Sequence, residues 1–554
     1  MGKSKTRQII FFIGFLFLTT KLSAQVNCDF VIPQSQIIID GQELGVEPGD
    51  VICLESGAKP YLIIRNIDPA DNFQEPVLII NSGGQLIIDT DHHFGITIQN
   101  SNNIHLSGKG EPGITYGINI RRVENGSGIG VSNFSSSVEI EGAKISNTFF
   151  AGIIAKTDPY CLNGEILGTR DEFTQFDIII HDNYIHDTGG EGMYIGSSKF
   201  TGFTLDCNGQ TQTVLPHVNV GVHIYDNVVE RTGWDAIQVS SVISDCNIND
   251  NFILHDSEEG YPGQMSGILI GGGSVCDCYN NQIFDGKGDG IEALGAGNQR
   301  IYNNLIVRAG QSFMPSEPTQ FKHAIYNDHI YTHSNSFLYF YNNTIVSPKS
   351  FGITFRNDHL SNIRAYNNII VDPGYSDDNG DPIYLNISDN SIVVDRQNNF
   401  LAPSVYDVNF DSPANDDYDL RINSPAVNGG VSLTDINFDI LNRERPYAGK
   451  WDIGAFETHK PGAGINDPGN AVKNWKIFPN PFNDKLNLRI ALEKHVAVSY
   501  TIRNLLGNIV KQHQSSGKAF DHQFFISTEQ WPSGVYTYEV VFINGRINGK
   551  IIKL

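Results

Sequence analysis

The middle of the chain is built from short segments in which apolar and polar residues alternate. His181-Asp-Asn183-Tyr-Ile185 is followed by Gly-Glu191-Gly-Met-Tyr-Ile, and Tyr225-Asp-Asn227-Val-Val229 by Trp-Asp235-Ala-Ile-Gln-Val. Tyr279-Asn-Asn281-Gln-Ile283 leads to Gly-Asp289-Gly-Ile-Glu-Ala, and Tyr341-Asn-Asn343-Thr-Ile345 to Ser-Phe351-Gly-Ile-Thr-Phe. In each case the second landmark stands eight residues after the Asn, and further copies start at Asn251, Asn304 and Asn368. Successive Asn landmarks are 44, 24, 30, 23, 39 and 25 residues apart. The short spacings give the period and the long ones contain insertions. A Gly-punctuated, strand-like unit of about 24 residues predicts a β-solenoid. The recurrent Asn has a structural reading. A tight turn needs a left-handed residue, and stacked amides can hydrogen-bond along the coil axis.

With these repeats the chain resembles the right-handed parallel β-helix superfamily that contains pectate-lyase-like and chondroitinase-like enzymes. Glu47-Pro-Gly-Asp-Val-Ile-Cys-Leu-Glu-Ser-Gly57 and Pro76-Val-Leu-Ile-Ile-Asn81 resemble its opening coils. The likeness spans roughly residues 28 to 430. It implies the fold and leaves the reaction open, because the same fold carries lyases, hydrolases, epimerases and adhesins. The chain shows neither the closely spaced Lys/Arg constellation of a known lyase family nor the paired-Asp motifs of the polygalacturonases. Ser424-Pro-Ala-Val-Asn-Gly-Gly430, Arg445-Pro446 and Trp451-Asp-Ile-Gly-Ala-Phe-Glu457 resemble a segment that closes extracellular β-helices, which gives Asp452 and Glu457 a structural role.

After a run of breakers, Trp475-Lys-Ile-Phe-Pro-Asn-Pro-Phe482, Ile502-Arg-Asn-Leu-Leu-Gly507, Trp531-Pro-Ser-Gly-Val-Tyr-Thr-Tyr538 and Lys550-Ile-Ile-Lys-Leu554 follow in order. They resemble the C-terminal sorting domain of type IX secretion cargo in Bacteroidetes, which implies the secretion machinery as a partner and a secreted or cell-surface location. The expected organisation is all-β. A signal peptide spans 1–24, a parallel β-helix with its cap 25–459, a linker 460–472 and a small sorting β-sandwich 473–554.

Alternation also places chemistry. In the strand after each landmark the Ile positions face inward, and the intervening residues face outward about 4.8 Å from their equivalents in the next coil. The first outward column reads Ala151, Glu191, Asp235, Ser266, Asp289, His323, Phe351, and the second Ile154, Tyr194, Gln238, Leu269, Glu292, Tyr326, Thr354. The third reads Lys156, Gly196, Ser240, Gly271, Leu294, Asp328, Arg356. The middle coils therefore gather Glu191, Asp235, Asp289, Glu292, His323 and Tyr326 as candidate catalytic residues. Lys156, Tyr194, Trp234, Gln238, Lys322, Asp328 and Arg356 are candidate substrate contacts. Adjacent carboxylates raise one another's pKa, which suits a general acid, or they hold a cation. Glu191, Asp235 and Asp289 are the candidate Ca²⁺ ligands. Insertions 157–175 and 199–216 follow this strand, and 256–264 and 309–320 precede it, so loops are expected to wall a cleft. His92, His93, His181, His186, His217 and His255 are scattered and expected at turns and edges, whereas Lys322-His323-Ala-Ile-Tyr-Asn-Asp328-His329 is dense enough to belong to the cleft.

Composition narrows the partners. Basic residues number 38 and acidic ones 61 of 554. Lys3, Lys5 and Arg7 precede the apolar run Ile9–Leu18, the pattern of a secretory signal peptide. Its removal leaves 34 basic against 61 acidic residues. Such a chain is poorly suited to neutralising phosphates, and Gly271-Gly-Gly273 opens no helix, so nucleic-acid and nucleotide roles are disfavoured. No other stretch reaches transmembrane length. Seven cysteines, an odd number, leave at least one thiol unpaired within the chain. Cys161 and Cys207 fall in adjacent insertions and could be bridged, and Cys246 and Cys276 stack as a bridge or as packed thiols.

The leading expectation is a polysaccharide-active enzyme, tilted to a lyase by its lyase-like opening coils. A glycoside hydrolase using Glu191/Asp235 or Asp289/Glu292 and a non-catalytic glycan-binding or adhesive protein are the alternatives.

Overall fold

The computed structural model describes residues 27–458 and 472–553, apart from 68–74, 315–320, 329–334, 448, 479, 481, 483, 505–506, 516–518 and 543–544. The expected signal peptide, most of the expected linker and His329 lie outside the described residues.

The turn chemistry splits the role assigned to Asn between two neighbours. The residue before each landmark is the left-handed one. Asp182, Asp226, Asp250, Asn280, Asn303, Asn342 and Asn367 have φ of 54°, 53°, 54°, 55°, 54°, 52° and 56°, a region in which Asp and Asn are the best tolerated of the residues that carry a Cβ. The landmark Asn follows and turns its amide into the corner of the coil. Asn183, Asn227, Asn251, Asn281, Asn304, Asn343 and Asn368 each donate through Nδ2 to the Oδ1 of the next landmark, at 2.9 to 3.1 Å. Each Oδ1 also accepts the preceding landmark's backbone N–H. This ladder supplies partners to buried turn groups that would otherwise be unpaired.

Three parallel faces result. A front sheet of twelve strands runs from Ile38–Asp40 to Leu385–Ile387. A back and a flank face meet at the Asp/Asn turn and form one 23-stranded ladder. Inside, Ile153, Met193, Ile237, Ile268, Ile291, Ile325 and Ile353 lie in register and are fully buried. At about 1.5–3 kcal/mol for each fully buried aliphatic side chain, such columns dominate stability. The flank turns an apolar column outward, including Tyr184, Val228, Phe252, Leu305 and Ile369.

Both ends are closed. At the first coil, buried Lys59 donates to the carbonyls of Pro33, Gln34 and Gln36. At the last, Asp452 accepts the N–H groups of Asn428 and Thr458, and Glu457 those of Tyr447 and Asp452. Disulfides join Cys28–Cys53, Cys161–Cys207 and Cys246–Cys276, and Cys278 is a buried free thiol. The C-terminal region packs a three-stranded sheet on a four-stranded one, both antiparallel, around Leu488, Ile490, Tyr500, Ile502, Tyr536 and Val540. Among the described residues no helix is long and apolar enough to cross a membrane.

The ladder makes unequal demands on neighbours. Asn281→Ala removes an amide serving two coils and strands several buried groups, a loss of about 3 kcal/mol or more at ~1–3 kcal/mol for each unsatisfied group. Asn280→Gly, at φ 55°, keeps the turn and should change stability by less than about 1 kcal/mol. Guanidinium midpoints of the two variants check the contrast.

Candidate functional site

The outward columns fall in the register that alternation requires. Ile154, Tyr194, Gln238, Leu269, Glu292, Tyr326 and Thr354 are successive partners on the front sheet. One row earlier, Gly152 donates to the Glu191 carbonyl, Gly192 to that of Asp235, and Gly290 to that of His323.

The insertions form walls. One contains the hairpin Tyr160–Leu162/Glu165–Leu167 and its neighbour the hairpin Phe203–Cys207/Gln210–Val214, joined by Cys161–Cys207. Arg170 lies 4.3 Å over the Phe200 ring. That ring covers Gly273, where a Cβ would stand 2.1 Å from it. The expectation of a turn or edge position fails for His217, which is buried at the root of this wall. Its Nδ1–H donates to the Val218 carbonyl at 3.2 Å, and its Nε2 accepts the Thr157 N–H at 3.0 Å. Burial lowers its pKa, which keeps this tautomer neutral. On the other side, Tyr261 of insertion 256–264 stacks on Trp234 at 4.6 Å.

The walls close over the upper half of the row. Glu191, Asp235, Gln238 and Ser240 are at most 1 % exposed, so the open cleft expected here is covered. Their polar atoms are incompletely matched. Ser266 donates to Asp235 Oδ1 at 2.7 Å, but Glu191 Oε2, Asp235 Oδ2, Ser240 Oγ and both amide atoms of Gln238 have no hydrogen-bond partner among the described residues. Burial raises Glu191 to about 7, against a weaker opposing pull from Lys156. Burial also lifts Asp235 well above the carboxylate range, with the neighbouring Glu191 adding to it.

The lower half is a connected network. Asp289 Oδ2 accepts from Lys322 Nζ at 3.1 Å, and Asp289 Oδ1 accepts the His323 backbone N–H. Burial pushes Glu292 well above its ordinary value, and Asp289 adds to the effect. Burial opposes the charge of Lys322, but the adjacent Asp289 carboxylate outweighs it and holds the ammonium protonated. His323 is stacked between Phe351 and Tyr326, and its Nδ1 lies 3.0 Å from Thr354 Oγ1. Burial lowers the His323 pKa, so the ring is neutral. Arg356 donates to the Tyr326 hydroxyl at 3.1 Å, and that hydroxyl donates to Asp328 at 2.8 Å.

Several expected substrate contacts are already engaged. Lys156 Nζ sits 4.4 Å over the Tyr194 ring and pairs with Asp158 at 2.8 Å, so that face of Tyr194 is occupied. Tyr261 covers a face of Trp234 and is itself exposed. Asp289 has both oxygens bonded and stands two coils from Asp235, a rise of about 9.6 Å. The set of three cation ligands therefore reduces to Glu191 and Asp235.

Sequence reasoning missed three features. Thr354 was visible in the second column but its bond to His323 was not. Buried Asp256 lies in an insertion, outside the repeat, and its carboxyl is pushed by burial to about 6. His181 is not at a free edge. It ends the back strand Thr174–His181 within a cluster of Glu139, Glu141, Asp182 and Lys109. Glu141, His181 and Asp182 could together hold a metal, but Lys109 already contacts both carboxylates.

Residues 217–400 match the family described as the right handed beta helix region, and residues 476–554 match the secretion system C-terminal sorting domain. No curated protein matches the chain. Among solved structures, the A-module of a mannuronan C-5 epimerase from Azotobacter vinelandii is 12 % identical, the alignment covering 64 % of this chain and 91 % of that one, with a TM-score of 0.29. A periplasmic alginate epimerase is 13 % identical over 67 % and 85 % of the two chains, TM-score 0.28. A family PL6 polysaccharide lyase from Pseudopedobacter saltans is 12 % identical over 65 % and 94 %, TM-score 0.25.

The raised carboxyls make stability pH-dependent. Glu191 titrates near 7 in the folded chain and near ~4.3 unfolded, so the native state binds the extra proton between these values. Its contribution is complete below about pH 4 and is lost as pH rises through 7, on the order of 4 kcal/mol at ~1.4 kcal/mol per pH unit. The melting temperature should fall between pH 5 and 8, and Glu191→Gln should flatten that slope.

Proposed function

We propose that this right-handed parallel β-helix protein, directed to the cell exterior by its C-terminal sorting domain, is a polysaccharide lyase acting by β-elimination on uronate-containing glycans. The observation that carries the reading is His323. It is a buried, neutral imidazole whose Nδ1 is bonded to Thr354, on the same face as Tyr326, Lys322 and Arg356. Elimination needs a base to take the proton beside the uronate carboxylate. It needs positive charge to stabilise the electrons left behind, and an acid to protonate the departing glycosidic oxygen. With Thr354 accepting from Nδ1–H, His323 Nε2 is the base. Lys322 and Arg356 supply the charge. Tyr326, whose pKa is raised chiefly by burial, keeps its proton for the leaving oxygen. The C–H and C–O bonds break, a C=C bond forms in the new non-reducing end, His323 returns its proton to solvent and Tyr326 regains one from it.

On the front face a cation would be held in the upper half, where Glu191 and Asp235 have buried oxygens without a partner among the described residues, beside Gln238 and Ser240. Ca²⁺ is an oxygen-seeking ion and would supply positive charge there when bound. Ca²⁺ is expected to raise the melting temperature at pH 8 more than at pH 5, because protons compete for the same oxygens, and Glu191→Gln should remove the effect.

Hydrolysis is the second reading. It is favoured by Asp289 and Glu292, which meet opposite environments: Asp289 is bonded to Lys322, and Glu292 is held protonated by burial. One carboxylate and one carboxylic acid are what glycoside hydrolysis uses.

The purified protein, offered acidic and neutral polysaccharides, is followed by reducing ends and by ultraviolet absorbance of the conjugated product. The lyase reading expects both signals, with His323→Ala lowering kcat about 10²–10⁴-fold. Reducing ends without absorbance, sensitive to Glu292→Gln, would replace it with hydrolysis. Binding without either signal would make the protein a glycan-binding one.

A further inference from the structure

We propose that the left-handed turn column is a docking strip in two parts: its asparagine half holds the C-terminal cap, and its aspartate half holds the sorting domain against the β-helix. The sequence of the column changes partway down. Asp182, Asp226 and Asp250 occupy the upper coils, then Asn280, Asn303, Asn342 and Asn367 the lower ones. The backbone requirement is the same at every step, so it does not explain the change.

The neighbours do. Over the lower coils, Asn303 Nδ2 donates to the Phe438 carbonyl at 2.7 Å, Asn342 to those of Asp452 and Gly454 at 3.1 Å, and Asn367 to that of Val431 at 2.9 Å. A carbonyl needs a donor, which Asn has and ionised Asp lacks. Over the upper coils the neighbour is an ammonium. Lys550 of the last sorting-domain strand lies 2.6 Å from Asp226 Oδ1. Burial opposes its charge, but Asp226 first and then Asp250 and Asp182 outweigh that and favour it. Asp182 also pairs with Lys109 and His181, and Asp250 accepts from Asn249.

Apolar contacts accompany the charge. Tyr116 and Tyr184 of the β-helix are buried in one cluster with Val535 and Ile552 of the sorting domain. Gly534 passes so close to Tyr116 that a Cβ would stand 2.5 Å from its hydroxyl. The outward apolar column of the flank is thus covered in sequence, by the sorting domain at its upper end and by the cap below. Severing the chain between the two regions would not separate them.

The test uses the full chain with a protease site introduced within residues 460–471, cut after purification and run on gel filtration at micromolar concentration. The two fragments are expected to co-elute. Lys550→Glu should weaken retention at least ~10-fold by placing like charges together, and adding Asp226→Asn should recover part of the loss. An unchanged melting temperature of the uncut variants shows that they fold. Wild-type fragments that separate after cutting would overturn the proposal. So would a Lys550→Glu protein that retains its fragment as well as the wild type does.

Discussion

From Asn183 to Asn399 the β-helix depends on one amide being able to serve two coils. A coil of about 24 residues turns three sharp corners, and its turn at the landmark Asn buries backbone groups with no strand beside them. The Asn ladder provides the missing partners, stepping from coil to coil at the rise that the hydrogen-bonded parallel strands set. With the rise fixed, isoleucine stacks on isoleucine and the outer columns become true rows. The front-face chemistry is a consequence of that register rather than of any local motif.

The three faces then serve different ends. The interior is uniform and apolar. The front accepts insertions on both sides of its strands, and these bury charged groups that an unadorned solenoid would leave in water. The flank turns apolar side chains outward and covers them with later parts of the same chain. The inverted acidity of Glu191, Asp235 and Glu292 comes chiefly from burial, to which stacked carboxyls of the repeat add for Asp235 and Glu292. Two coils with the same sequence but no insertions would hold ordinary carboxylates.

The fold was legible because period-two alternation and the Asn spacing are local facts. All three outward columns could be written from residue numbers, and the structure repeats them strand for strand. The left-handed slot was displaced by one position, because sequence offers Asp182 and Asn183 as equally good turn residues and only the backbone separates their roles. What the insertions cover was illegible. That Lys156 occupies the face of Tyr194, or Tyr261 that of Trp234, depends on how loops of unrelated sequence settle over the repeat. Asp256 was hidden for the same reason, standing outside any column. His181 escaped because its partners Glu139 and Lys109 come from earlier coils, joined to it by stacking and by nothing in the order of residues.

One covalent feature ties the site to geography. The wall over Glu191 and Asp235 is two separate hairpins from neighbouring coils, joined by Cys161–Cys207. Inside the cell thiols stay reduced, and outside it they pair. The Asn ladder needs no oxidant, although Cys28–Cys53 and Cys246–Cys276 also cross-link coils of the solenoid. The wall locks only once the chain has left the reducing cytoplasm, so the cover over Glu191 and Asp235 is completed after the repeat that carries them has been made.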